Sequence, residues 1–187
     1  MKRAILMICG ALLSWNVSAL ELAGIPVAKT AQVGNVSLVL NGGGIRSKNM
    51  FDIYTCALYL PQKQTSAEAI IADGHERRVK LHFVYPLSSA RLLKAFNEAI
   101  EENYSPAELA ALAAQLKQMD QLFETVDHVK VDDVIAIDYL PTIGTQISLN
   151  GRLLGTIPGV EFNRALLKIW LGDAPVQADL KKAMLGG

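Results

Sequence analysis

The sequence predicts an α+β fold in which a large antiparallel sheet is covered by a layer of α-helices. Three observations point there. Strand-like runs come in two blocks, residues 36–85 and 133–157, and helical segments follow each block instead of alternating with single strands, which argues against a parallel sheet. Asn150-Gly151 separates two short apolar runs, the strongest local signal for a β-hairpin. The run from Met50 to Leu60 is apolar at both parities, as in a strand covered on both faces in the middle of a sheet.

Taken in order, Val36–Leu40 reads as a short strand, and Asn41-Gly42-Gly43-Gly44 reads as a glycine turn after it. Met50–Leu60 is the next strand, stopped by Pro61. Ser66 can cap a short helix over residues 66–73, with Gly74 beyond it. Arg78–Tyr85 alternates Val79, Leu81, Phe83 and Tyr85 with Lys80 and His82, a half-buried strand. Residues 89–103 set Leu92, Leu93, Phe96, Ala99 and Ile100 on one helical stripe. Ser105-Pro106-Ala107-Glu108 is a capping box with proline at the first helical position. The helix it opens carries Leu109, Leu112, Leu116, Met119 and Phe123 at helical spacing. Strands follow at Asp133–Tyr139, Gly144–Leu149 and Arg152–Ile157, then helices over 161–171, ended by Gly172, and 177–185.

Residues 1–19 do not belong to that domain. Lys2 and Arg3, an apolar run to about Trp15 and the ending Val17-Ser18-Ala19 form the pattern of a secretory signal peptide. Its apolar run is shorter than the roughly 20 residues a bilayer span needs. Cys9 lies inside that run, too early for a lipidation site. Cleavage after Ala19 leaves residues 20–187 as one domain, exported across the inner membrane to the periplasm, with no stable membrane insertion afterwards. Of the 18 basic and 18 acidic residues, only Lys2 and Arg3 fall in the leader, so the remaining chain carries a net charge of −2. That balance excludes nucleic acid as an expected partner. Cys56 is the sole cysteine of the domain, a small hydrophobe by its neighbours Tyr54, Ala57 and Leu58. His75, His82 and His128 have no metal-ligand spacing, and no phosphate loop or Gly-x-Ser-x-Gly elbow occurs, so neither metal nor cofactor is expected.

Two blocks carry a resemblance. GRLLGTIPGVEFNRALLKIWLGDAPVQADLKKAMLG, residues 151–186, resembles the end of the chalcone isomerase-like family, in its bacterial, secreted branch. GGGIRSKNMFDIYTCALYLP, residues 42–61, resembles that family's opening. The resemblance implies an open-faced β-sandwich with a ligand cleft between sheet and helices. Plant members close a flavanone ring by intramolecular addition of a phenolate to an enone; non-catalytic relatives bind fatty acids, with an arginine and a tyrosine holding the carboxylate.

Carried over residue by residue, the resemblance implies roles for Arg46, Thr55 and Tyr104, as ligand-binding residues or, in an enzyme, as catalytic ones. Leu112 and Leu116 on the long helix, with Ile169, would wall the apolar part of the cleft. Two polar positions of the enzymes are apolar here: Leu109-Ala110-Ala111-Leu112 stands where an asparagine is expected, and Ile169 where a hydroxyl is expected. The expected function is therefore binding of a fatty acid or similar amphipathic carboxylate, with an intramolecular lyase of chalcone-like or other enone substrates as the alternative. Arginine suits either role, because its guanidinium stays charged and offers paired donors that match a carboxylate. The oligomeric state stays open.

Overall fold

The computed structural model describes residues 20–187, and the expected leader, residues 1–19, lies outside them. Eleven strands and five helices are described. The first three strands, β1 (Leu20–Leu22), β2 (Ile25–Val27) and β3 (Thr30–Val33), are short and were not signalled by any apolar run. The main sheet has seven strands in the order β11-β10-β9-β6-β5-β4-β3, antiparallel throughout. Its members are β4 (Val36–Lys48), β5 (Phe51–Leu60), β6 (Arg77–Phe83), β9 (Val134–Leu140), β10 (Gly144–Leu149) and β11 (Arg152–Ile157), with β3 at one edge. The sheet curls: β3 also reaches β6 and β9, and a second apolar cluster of Val27, Val33, Leu38, Ala57 and Tyr59 fills the fold so made.

Helices cover the other face. They are α1 (Ala67–Ala72), α2 (Ser89–Glu101), α3 (Pro106–Glu124), α4 (Val160–Leu171) and α5 (Ala178–Met184). A two-stranded ribbon of β7 (Leu87–Ser88) and β8 (His128–Val129) ties the start of α2 to the end of α3. The main core lies between helices and sheet, with Leu58, Leu81, Phe83, Phe162 and Trp170 almost fully buried. As the sequence predicts, β5 sits mid-sheet and is buried along most of its length. Ser66 caps α1, the Ser105–Glu108 capping box closes in both directions, and Asn150 and Gly151 form the hairpin turn with φ of 51° and 79°.

The three glycines do not form the expected turn. Gly42, Gly43 and Gly44 lie inside β4, none with positive φ, and the turn is at Asn49-Met50 (φ 52° and 68°). Packing explains them. A β-carbon on Gly42 would lie 2.2 Å from the Ala183 carbonyl oxygen, and one on Gly44 3.0 Å from Leu180 Cδ1. The missing side chains let α5 lie directly on the strand. A bulge at Asn41 sets the phase: Leu38 and Leu40 pack with the second cluster, whereas Gly42 and Gly44 face the helices. The Asn41 side chain also holds α5, donating to Met184 O at 2.8 Å.

One buried charge is structural. Arg77, 2% exposed, donates to Asn163 Oδ1, Ile70 O and Asp73 O at 2.7, 3.0 and 2.8 Å and lies over the Tyr139 ring. Its acceptors include carbonyls at the C-terminal end of α1, the negative end of the helix dipole. Burial, partly offset by Asp73, lowers its pKa to about 10. The guanidinium therefore remains charged at neutral pH.

Candidate functional site

A cleft of about 540 Å³ opens at the end of the sheet where β4 turns into β5. Its sheet wall is Arg46, Phe51, Ile53 and Tyr54; its helix wall is Leu92, Ala95, Phe96 and Ala99 of α2; Pro175 and Val176 close one side. The local sequence builds this wall through a second bulge. Arg46 pairs with Tyr54 and Ser47 with Asp52, which leaves Ile53 unpaired on β5. The extra residue shifts the side-chain phase, so Phe51, Ile53 and Tyr54 all reach the same cleft.

Arg46 is held on one side only. Its Nη1 donates to Ser47 O at 2.6 Å and to Gln177 Oε1 at 3.3 Å. Gln177, the N-cap position of α5, also accepts from Ser47 N at 3.0 Å and donates to Ile45 O at 3.2 Å. A single amide thus pins the bulged strand and orients the arginine. Among the described residues Arg46 forms no ion pair; its Nη1 makes the two hydrogen bonds above, and the guanidinium also reaches toward the Tyr54 hydroxyl. The N–H groups of Nε and Nη2 are the donors that this planar cation can offer a ligand beside Tyr54.

Across the hairpin from Arg46, Tyr54 is 4% exposed, and its hydroxyl oxygen accepts from Trp170 Nε1 at 3.2 Å. Burial drives its pKa upward, with Cys56 adding to the effect; the Trp170 hydrogen bond and the charge and contact of Arg46 pull the other way without reversing it. Tyr54 is therefore a neutral phenol whose own proton remains to be donated. Cys56, fully buried with its thiol pKa raised by desolvation, contacts Met184 and stays protonated. Lys48, Arg91, Glu98 and Glu102 ring the opening, so with Arg46 the cations outnumber the acids. No group of three or more His, Cys, Asp or Glu side chains converges among the described residues.

The structure brings only Arg46 of the expected site residues into this cleft. Thr55 is buried on β5 but shares its parity with Ala57 and Tyr59, the side of the sheet that faces away from the helices. Tyr104, between α2 and α3, lies beneath Lys168, whose Nζ is 4.1 Å from the ring centre. Burial and the nearby Glu161 and Glu108 raise its pKa. Leu112 and Leu116 pack in the main core from α3, and Ile169 is fully buried in α4. The tail-lining role expected of α3 is taken geometrically by α2. Tyr54, Gln177 and Arg91 were missed. Placing the turn at Asn49-Met50 sets Ile53 opposite Arg46 in regular pairing; only the bulge at Ile53 brings Tyr54 there, so no local sequence signal marks it.

A family model described as chalcone isomerase-like matches residues 19–186. The chain belongs to the chalcone isomerase-like family. No curated protein matches it in sequence. Among solved structures, a fatty-acid binding protein of Arabidopsis thaliana superposes with a TM-score of 0.67 at 17% identity, over 87% of this chain and 92% of that one. At that identity the likeness is one of fold. It supports the curled antiparallel sheet with a helical cover, the architecture shared across this family's match and the present chain.

Proposed function

We propose that this protein binds a fatty acid or similar amphipathic carboxylate, with the head group on Arg46 and Tyr54 and the chain along the apolar wall of α2. The observation that carries the reading is the pairing of an arginine without an acid partner and a neutral buried phenol in a cleft walled by Ile53, Leu92, Phe96 and Val176 and charged at its mouth. A guanidinium beside apolar surface is costly unless an anion completes it. A carboxylate can accept from Arg46 and from the Tyr54 hydroxyl together. The fatty-acid binding protein with the same fold adds support from outside the chain. Export to the periplasm remains part of the proposal, resting on the leader-like residues 1–19. The lyase alternative has less behind it, since Thr55 and Tyr104 lie away from Arg46's cleft.

Native mass spectrometry and calorimetry with a series of saturated fatty acids test the reading. Affinity should rise about fourfold per added methylene while the chain still fits, since each buried CH₂ contributes about 0.8 kcal/mol. Arg46→Gln should weaken binding about tenfold to a hundredfold, the range of a charged hydrogen bond. Wild-type protein that takes up no fatty acid, or a variant that binds as well as wild type, would defeat the proposal. Turnover of a chalcone well above background would promote the lyase instead.

A further inference from the structure

Five of the seven large hydrophobic residues exposed among the described residues, Met50, Phe51, Tyr85, Val131 and Leu153, lie along one end of the sheet. That is the end at which the cleft opens. Met50 is 100% exposed, Phe51 57% and Tyr85 42%, and the Phe51 and Tyr85 rings touch with centroids 5.6 Å apart. Folding gives no reason for Met50. It occupies the second turn position of the β4–β5 hairpin with φ 68°, where glycine fits without strain, and it buries nothing. A large apolar side chain kept in a strained, fully solvated place has its use outside the chain.

The charges beside it select the partner. Lys48 precedes the turn, Arg91 lies in the first turn of α2, and both line the cleft mouth with Phe51 and Tyr85. Acids share this end, but among the described residues none pairs with Lys48 or Arg91. Asp52 accepts from the Ser47 hydroxyl at 2.6 Å, Asp132 accepts from His82 at 3.2 Å, and Glu98 pairs with Lys94 in the second half of α2. Glu102 follows the last turn of α2. Apolar tips flanked by cations match the boundary between acyl chains and anionic head groups.

We propose that this end of the sheet docks on an anionic lipid bilayer, with Met50 and Phe51 inserted, so that the cleft exchanges its ligand directly with the membrane. The docking rests on the fatty-acid reading for its purpose but not for its geometry. Attachment is peripheral: no described helix is long and apolar enough to cross a membrane.

Sedimentation with vesicles of equal parts phosphatidylglycerol and phosphatidylethanolamine tests it, beside vesicles of phosphatidylcholine alone. Wild-type protein should pellet with the anionic vesicles, less with the neutral ones, and less as salt is raised. Met50→Gly should lower the vesicle partition about tenfold or more, as expected for withdrawing one large side chain from the acyl boundary. The same variant should melt no lower than wild type and should bind fatty acid in lipid-free solution unchanged, because Met50 does not line the cleft. Wild type that stays in the supernatant with anionic vesicles, or Met50→Gly that pellets equally well, overturns the docking. A lipid-free dimer dissolved by Met50→Gly also overturns it, since the patch would then be a protein interface. Fatty-acid uptake without vesicle binding sinks the docking alone, whereas vesicle binding without fatty-acid uptake sinks the binding reading and leaves the docking standing.

Discussion

Gly42→Ala should damage both the fold and the site. The new β-carbon would lie 2.2 Å from Ala183 O and 2.8 Å from Met184 O, both backbone atoms that cannot rotate aside. Relief requires α5 to move away from β4 by about an ångström, loosening Leu180 and Met184, which are 1% and 0% exposed. Full burial of each such side chain is worth about 1.5–3 kcal/mol, so losing a good part of two gives a cost of about 2–4 kcal/mol. For a domain of this size that lowers Tm by roughly 5–15 °C. Because Gln177 at the start of α5 orients Arg46, fatty-acid affinity should fall as well. Gly44→Ala meets its two tight contacts in side-chain atoms, Leu180 Cδ1 at 3.0 Å and Ala183 Cβ at 3.1 Å, with the Leu180 backbone at an ordinary 3.8 Å, and should cost about 1 kcal/mol. Gly74→Ala meets nothing within 4 Å and should be neutral or slightly stabilising. Urea denaturation of the three variants gives the comparison. A Gly42→Ala midpoint equal to wild type, or a Gly74→Ala loss larger than that of Gly42→Ala, would refute the packing argument.

Arg77→Met should cost about 2–4 kcal/mol, because it leaves Asn163 Oδ1 and the α1 carbonyls Ile70 O and Asp73 O buried with no donor from this side chain; calorimetric unfolding measures it, and a loss below about 1 kcal/mol would contradict the network. Acid should weaken the start of α3. The Ser105 hydroxyl and backbone N–H hold the Glu108 carboxyl below its ordinary value, so its stabilising effect is present above the ordinary glutamate pKa of about 4.3 and is lost as pH falls through the depressed one. Unfolding curves across that acid range should show a steeper loss for wild type than for Glu108→Gln, and parallel curves would argue against the capping box.

Local chemistry was legible in the sequence, and contacts between distant segments were not. The Ser105–Glu108 box and the Asn150-Gly151 turn satisfy their own backbones within a few residues, so their spacing alone reveals them. The alternation of Val79, Leu81 and Phe83 likewise shows which face of β6 is buried. The glycines of β4 answer to α5, which Asn41 meets 143 positions along the chain, and no local pattern distinguishes that demand from a turn. Tyr54 hid for a similar reason. It lies in an apolar strand, its indole partner Trp170 is 116 positions away, and the bulge at Ile53 changes which face it shares with Arg46. Thr55, adjacent in sequence, consequently faces the opposite side. The three short N-terminal strands bury little from their own residues and depend on the curl of the sheet for their place.

The central claim is that Arg46 and Tyr54 hold an ionised carboxylate in the cleft. Carbon-13 NMR titration of palmitate labelled at its carboxyl carbon and bound to the protein tests it most directly. The account predicts a carboxyl pKa well below that of a free carboxylate, because the facing guanidinium favours the charged form, and a return toward the ordinary value in Arg46→Gln. A bound carboxyl that titrates at its ordinary pKa, and does so equally in wild type and Arg46→Gln, would contradict it.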